Sequence, residues 1–514
     1  MNLLQINNLS FSYPSSSTVL FNDFSLQFQD RWTVIAGSNG CGKTTLLKLL
    51  AGILVPDSGK IRTEGEVVYC SQETTEIPYN LYTAFWSNDN QVRKFFSILN
   101  ISEEMLERYE NLSGGEKKRI QIACALAENP SVLLLDEPTN HLDKATVQMI
   151  LQALQSYSGT GICVSHDRGF TDALCTKTVY LYKESQAFAS GKDFVVCDVY
   201  NGGLTKALEI RAMENTRIRS EWDGLDKKAF AEKQRSRELQ DEIKKSQSKL
   251  SKRGIDAKDH DARFRIDRLR IGGVDRAAGD AKARQNSLVN RTEQKRDSAK
   301  KALKRKEGFS VDGLDYTKPV IIDETNITVG SGENTYTLHI PSIEINQSSK
   351  IALTGQNGSG KTLFINHVIS VLQNSGRLDQ VLYLPQEITE EQGMAVLHAV
   401  DELDEATRGE VFSTLYRLGS EPENLSDSLT SVSPGELRKL MISLGITQPL
   451  ALLILDEPTN HMDITSVMAL EEALSAVQCP MLIVSHDEAF LSKITNTRLA
   501  IERIGNSGNL KKKW

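Results

Sequence analysis

Two kinds of apolar pattern alternate along the chain. In residues 1–200, short unbroken apolar runs stop at small or polar residues. Thr33-Val-Ile-Ala stops before Gly37, Leu133-Leu-Leu before Asp136-Glu137, and Gly161-Ile-Cys-Val before Ser165-His166. In 314–514 the runs return as Ile351-Ala-Leu-Thr, Leu453-Ile-Leu before Asp456-Glu457, and Met481-Leu-Ile-Val before Ser485-His486. Runs of this length predict strands buried in a parallel sheet, and helix-like segments follow them, so the fold class is α/β. Between these halves the pattern changes. Ile218, Trp222, Leu225, Ala229, Leu239, Ile243 and Leu250 recur at helical spacing within 204–250, a stretch rich in Lys, Arg, Glu, Gln and Leu. A second helical stretch over 277–307 has a weaker seam through Leu288, Ala299 and Leu303, and no proline lies between Pro138 and Pro319. A helix of this length extends roughly 65 Å at about 1.5 Å per residue, so an antiparallel helical hairpin is expected to join the two α/β domains. The expected domains are 1–200, a linker over 201–313, and 314–514.

The chemistry sits at the ends of the apolar runs. Gly37-Ser38-Asn39-Gly40-Cys41-Gly42-Lys43-Thr44, followed by Thr45, and Gly355-Gln356-Asn357-Gly358-Ser359-Gly360-Lys361-Thr362, followed by Leu363, both fit G-x-x-x-x-G-K-[ST] between a strand and a helix. Glycines let backbone amides reach phosphate oxygens, the helix N-terminus adds partial positive charge, the lysine reaches the outer phosphates, and Thr44 or Thr362 can ligate Mg²⁺. Asp136 and Asp456 are placed to hold Mg²⁺, and Glu137 and Glu457 to polarise the water that attacks the terminal phosphate. His166 and His486, ending the next strand, can orient that water. Gln72 and Gln386 stand between loop and acids in both halves. Lys-to-Asp spacings of 93 and 95 residues and Lys-to-His spacings of 123 and 125 show that the halves are built alike.

Leu112-Ser113-Gly114-Gly115-Glu116 precedes the first acid pair, and Ser433-Pro434-Gly435-Glu436 precedes the second. The order of phosphate loop, Gln, LSGGE, DEPTNHLD and SHD resembles an ATP-binding cassette over nearly all of 1–200 and 314–514. Thr139-Asn140-His141 and Thr459-Asn460-His461 after DEP, in a chain with two cassettes and no membrane segment, resemble the ABC-F family of ribosome-associated translation factors. The resemblance implies that the cassettes close face to face within one chain, which is expected to act as a monomer. Lys43, Asp136, Glu137 and His166 would then share one ATP with Ser433 to Glu436. Lys361, Asp456, Glu457 and His486 would share the other with Ser113 to Glu116. Pro434 stands where the pattern has glycine and removes one backbone donor, while remaining compatible with a first helical turn. Tyr13, 24 residues before Gly37, is the candidate for stacking on adenine; before Gly355 there is only Tyr336, which reads equally well as a core strand residue.

Charge adds a partner. The net charge of -7 conceals a segment, 206–308, with 30 Lys and Arg against 18 Asp and Glu. Lys252, Arg253, Arg263, Arg265, Arg268 and Arg270 cluster between the expected helical arms. Arginine forks suit phosphate, and with only Phe264 nearby, shape and backbone contact with structured RNA are expected rather than base stacking. By resemblance, the linker would enter the tRNA exit region of the ribosome, meet rRNA and tRNA, and point towards the peptidyl-transferase centre. The short interval between Gln72 and Ser113 and the long linker resemble the antibiotic-resistance branch. No run approaches the ~18 apolar residues of a membrane span, and the N-terminus lacks a signal-like core. The seven cysteines have no C-x-x-C spacing, so a cytoplasmic ATPase is expected. The rival reading is the soluble ATPase component of a membrane transporter, which leaves the basic linker unexplained.

Overall fold

The computed structural model describes residues 4–14, 19–29, 31–140, 142–185, 193–249, 264, 282–293, 295, 319–330, 335–420, 432–447, 450–460, 462–476 and 479–513. The chain divides into two compact units: Met1–Ala207 with Lys306–Trp514, and Leu208–Arg305.

The first unit holds both α/β halves. The strands of its N-terminal half are β1 (Leu4–Ser12), β2 (Val19–Phe28), β3 (Trp32–Gly37), β4 (Ser58–Thr63), β5 (Val67–Cys70), β6 (Val132–Asp136), β7 (Thr160–Val164), β8 (Lys177–Ser185) and β9 (Asp193–Asn201). They form one sheet in the order β4-β1-β2-β9-β8-β3-β7-β6-β5, parallel from β8 through β5. The C-terminal half has β10 (Val320–Ile322), β11 (Thr325–Val329), β12 (Tyr336–Ile340), β13 (Ile343–Ile345), β14 (Lys350–Gly355), β15 (Val381–Leu384), β16 (Leu452–Asp456), β17 (Met481–Val484), β18 (Thr497–Ile504) and β19 (Ser507–Lys513). Its main sheet runs β11-β12-β19-β18-β14-β17-β16-β15, with β10 and β13 paired separately. The strands that carry the motifs, β3, β6, β7 and β14, β16, β17, lie in the interior of their sheets, and β3, β6, β7, β16 and β17 are buried at every position. Helices Lys43–Leu50 and Lys361–Asn374 press Leu46 and Leu47, and Phe364 and Ile365, into these sheets. This packing fixes the phosphate loops at the carboxyl edge of each sheet, where parallel sheets bind ligands.

The second unit begins within the helix Leu204–Lys249, where Ala229 and Ser236 are buried and Asn215, Ile218, Trp222, Leu225, Glu232 and Leu239 are partly shielded, a spacing that alternates three and four, with Arg219, Asp226 and Gln240 partly shielded beside them. The apolar seam expected from the sequence is therefore real, but polar residues share it. The second arm, helical over 282–293, corrects the expectation at Leu288: this residue is 48% exposed, and Gln285, Val289, Thr292 and Glu293 are the partly shielded positions. The arms are held by polar contacts, Gln285 Nε2 donating to Glu232 O (3.3 Å) and Ser236 Oγ to Asn286 Oδ1 (3.4 Å), with Lys233 and Glu293 3.5 Å apart. A seam joined by hydrogen bonds does not need Leu288 inside it. The side chain of Ile243 and residues Leu250, Ala299 and Leu303 lie outside the described residues.

Candidate functional site

Each phosphate loop turns through left-handed glycines: Gly40 and Gly42 at φ 73° and 84°, Gly358 and Gly360 at 73° and 95°. Gly42 and Gly360 are the N-caps of the following helices and contribute no capping side chain, so the first-turn amides point into the loop. A Cβ on Gly37 would lie 2.2 Å from Leu181 O, so only glycine fits there. Cys41 is buried beneath the first loop, and Ser359 occupies the same place in the second. Lys43 Nζ donates to Gly37 O (2.9 Å) and Ser38 O (3.0 Å), and Lys361 Nζ to Gly355 O (2.8 Å) and Gln356 O (3.4 Å). Both ammonium groups are thus wrapped by their own loops, at the place where a phosphate oxygen would replace carbonyl oxygens.

The acids follow at the strand ends. Thr44 Oγ1 donates to Asp136 Oδ1 (3.3 Å), and Tyr69 OH to Asp136 Oδ2 (3.1 Å). Glu137 and Glu457 adopt left-handed φ of 46° and 51°, uncommon for non-glycine residues, and each amide donates to the neighbouring strand, at Val164 O and Val484 O (both 2.9 Å). That bend sets Glu137 Oε1 3.4 Å from His166 Nε2 and Glu457 Oε1 3.4 Å from His486 Nε2. The two halves, separated by 320 residues, therefore build the same strained glutamate and histidine pair.

A cavity of about 820 Å³ brings these groups together. It is lined by Asn39, Gly40, Gly42, Lys43, Thr44, Thr45, Gln72, Asp136, Glu137 and His166 from the N-terminal half. Asn357, Lys361, Thr362, Gln386, Ser433, Pro434, Gly435, Asp456, Glu457 and His486 contribute from the other. Ser113, Gly114, Gly115 and Glu116 open the helix Gly114–Ala127 and are not among its lining residues. Ser113 and Glu116 form a reciprocal capping box, whereas Ser433 caps Pro434–Gly445 while Glu436 pairs with Lys439 (2.8 Å). Leu363 follows Thr362 on the second loop's helix. Tyr13 is 39% exposed and shares a 2.9 Å hydrogen bond with Thr45 Oγ1. His141 and His461, and all six basic candidates Lys252, Arg253, Arg263, Arg265, Arg268 and Arg270, lie outside the described residues.

The ABC transporter family model matches residues 21–140 and 338–460, once per half. The chain is 29% identical to the ribosome protection protein VmlR of Bacillus subtilis, over 98% of this chain and 87% of that one. It is 27% identical to the ATP-binding protein Uup of Caulobacter vibrioides, over 95% and 75%. Each half of the chain is an ATP-binding cassette, and the chain is similar along most of its length to the ABC transporter F family member 5 of Arabidopsis thaliana, 25% identical over 91% of this chain and 70% of that one. A solved complex of the archaeal ribosome recycling factor aABCE1 shares the tandem fold at TM-score 0.59 and 18% identity, covering 98% of this chain and 89% of that one. Among the described residues no helix is long and apolar enough to cross a membrane.

The electrostatics of this tandem-cassette protein are dominated by burial. Burial, reinforced by the neighbouring aspartate and opposed by the loop lysine, pushes the Glu137 and Glu457 carboxyls up to about 8. Burial, aided by Lys43, drives His166 down to about 3, and burial with Lys361 drives His486 down to about 4, so both imidazoles are neutral. Asp456 Oδ2, Glu457 Oε1 and His166 Nδ1 are buried without a hydrogen-bond partner among the described residues. Orphaned carboxylate oxygens of this kind, in a cavity that Thr362 and Gln386 also line, fit a hydrated Mg²⁺, which keeps waters and substrate oxygens and takes only one or two protein ligands. Among the described residues no cluster of three or more His, Cys, Asp or Glu could hold a metal unaided.

Several contacts around the site involve residues outside the motifs. Asn39 N in the first loop donates to Asp463 Oδ2 of the other cassette (2.9 Å), and Tyr180 OH meets Thr465 Oγ1 (2.9 Å). Arg168 forms a buried ion pair with Glu471, reinforced by Asp487 (3.1 Å) and by Lys493 on Glu471 (2.8 Å). Within each cassette a buried cation five residues past the signature serine ties down the glutamine loop. Lys118 Nζ donates to Ser71 O (2.8 Å) and Gln72 O (3.1 Å); Arg438 donates to Gln386 O and Glu457 O, the latter at 3.2 Å. A basic residue at the same offset in both repeats was the available sequence signal for this last pair. Nothing in the sequence marks Arg168 and Glu471 as partners.

Proposed function

We propose that this protein is a cytoplasmic, monomeric ATP-driven translation factor that binds the ribosome, remodels the peptidyl-transferase and tRNA exit region through its basic linker, and thereby protects translation from an antibiotic. One observation carries this reading: the match to a ribosome protection protein runs through 98% of the chain, linker included, so no segment is left over to serve a different task. The positive segment 206–308 supports contact with rRNA and tRNA phosphates, chiefly through Lys252, Arg253, Arg263, Arg265, Arg268 and Arg270.

In the proposed cycle, Lys43 and Lys361 exchange their carbonyl partners for phosphate oxygens, and the loop amides bind the same groups. Thr44, Gln72 and Asp136, and Thr362, Gln386 and Asp456, would hold Mg²⁺, which when bound neutralises developing phosphate charge. Glu137 and Glu457, once ionised, accept a proton from the attacking water. His166 and His486, held neutral, can donate to the terminal phosphate or orient that water. Ser433 to Glu436 completes the site of Lys43, and Ser113 to Glu116 that of Lys361. Binding of ATP closes the cassettes across contacts such as Asn39 with Asp463, and hydrolysis releases them.

The test is ribosome co-sedimentation of the Glu137→Gln/Glu457→Gln protein. It should accumulate on ribosomes in the presence of ATP and fail to turn over. Normal turnover would sink the glutamate assignment, and fractionation with membranes in place of ribosomes would favour the transporter component.

A further inference from the structure

The two nucleotide sites are not equally furnished for a base. At the first, Tyr13 follows β1 and hydrogen-bonds Thr45 beside the phosphate loop. At the second, β11 ends at Val329, and the sequence Gly330-Ser-Gly-Glu-Asn-Thr335 holds no aromatic residue before Tyr336. Tyr336 begins β12 and lies against the loop itself. Its hydroxyl donates to Ser359 O (2.6 Å), and its ring would stand 3.3 Å from a Cβ on Gly360. Over that ring, 5.2 Å from its centre, lies the guanidinium of Arg503. Arg503 Nη1 donates to Gly358 O (2.9 Å) and Nε to Gly505 O (3.0 Å), so the plane is fixed by the loop, the turn and the ring. Although fixed in this way, the residue is exposed, and no carboxylate pairs with it among the described residues. The first cassette has Lys183 at the corresponding place, two residues beyond the β8 position paired with Gly37, as Arg503 is two beyond the β18 position paired with Gly355. Lysine is a point charge and offers no plane; there the aromatic is Tyr13.

We propose that Arg503, backed by Tyr336, is the base-binding residue of the second nucleotide site. A guanidinium is planar and weakly hydrated and stacks on π faces, so its outer side serves a purine as an aromatic ring would, and its position over Gly358 places the base next to the phosphate loop. This inference rests on the reading of Gly355 to Thr362 as a phosphate site.

The test uses the full chain carrying Lys43→Ala, which silences the first loop, and Glu457→Gln, which blocks turnover. Calorimetric titration compares ATP with inorganic tripolyphosphate, which has the phosphates but no base. Arg503→Lys keeps the charge and removes the plane; it should weaken ATP by about 5- to 100-fold, the range expected for one lost base stack, and leave tripolyphosphate unchanged. Tyr336→Leu should act in the same direction, and a thermal melt confirms that both variants fold. Equal losses for both probes would show that Arg503 only shapes the loop through Gly358, and unchanged ATP affinity would remove it from the site; either result overturns the proposal. If neither probe binds the parent protein, the phosphate site itself is refuted, and that failure is distinct from the other two.

Discussion

Replacing the two glutamates by glutamine should stabilise the nucleotide-free protein, and by an amount that grows with pH. Burial lifts both carboxyls from their ordinary 4.5 to about 8, with side chains only 16% and 7% exposed. A group whose folded pKa is raised gives its full stabilisation below the unfolded value and loses it as pH rises to the folded one. From pH 6.5 to 8 each glutamate is ionised in the unfolded chain and still largely protonated in the fold, so stability falls by ~1.4 kcal/mol per pH unit, about 2 kcal/mol per site over the window. His166 and His486 are neutral in the fold throughout this window and about half protonated in the unfolded chain at pH 6.5, a contribution that parent and variant share and that cancels in their difference. Glutamine mimics the protonated carboxyl and carries no such slope. Scanning calorimetry without nucleotide, at intervals from pH 6.5 to 8.5, should show the melting temperature of Glu137→Gln/Glu457→Gln rising relative to the parent, by ~4–8 °C per cassette at pH 8, and then levelling. A difference independent of pH would mean that the carboxyls are already ionised in the fold, and the reasoning would fail. The same pKa values bear on catalysis: a proton acceptor must be ionised, so kcat/KM for ATP should climb with pH towards about 8 and then flatten.

Four further outcomes are expected. In the Glu457→Gln background, where only the site completed by Ser433 to Glu436 turns over, Pro434→Gly restores a backbone donor and should raise residual ATPase activity at least about tenfold; no change would show that this amide is not used. Arg168→Met should cost ~3–5 kcal/mol of stability by leaving Glu471 and Asp487 short of a partner, whereas Arg168→Met/Glu471→Leu should be much milder; additive losses in denaturant titrations would count against a coupled pair. Arg438→Lys, which copies the first cassette, should retain ATP binding while lowering kcat, because a lysine cannot span Gln386 O and Glu457 O together; loss of binding with kcat intact would contradict that positioning role. Changing Arg263, Arg265, Arg268 and Arg270 to Gln should weaken ribosome co-sedimentation and flatten its salt dependence with little effect on ribosome-free ATPase activity; an unchanged salt series would show that these arginines face only solvent.

The sequence alone determined the repeat, the α/β class and the chemistry of the strand ends. Loops such as Gly37 to Thr44 and acid pairs such as Asp136-Glu137 are written locally: a glycine is needed where φ is left-handed, and a carboxylate ends an apolar run because that is where the strand leaves the core. The seam through Ile218, Trp222, Leu225 and Ala229 was equally legible, since helical spacing is a property of one segment. Leu288 was misjudged because an arm joined by Gln285 and Asn286 does not need every leucine inside, and that choice depends on the facing helix. Only the tertiary structure decided the left-handed bend at Glu137 and Glu457, the lifted carboxyls, the buried pair of Arg168 with Glu471, and the seating of Arg503 on Tyr336. Each depends on groups tens to hundreds of residues apart in sequence, and neither burial nor a partner's position is encoded at any single residue.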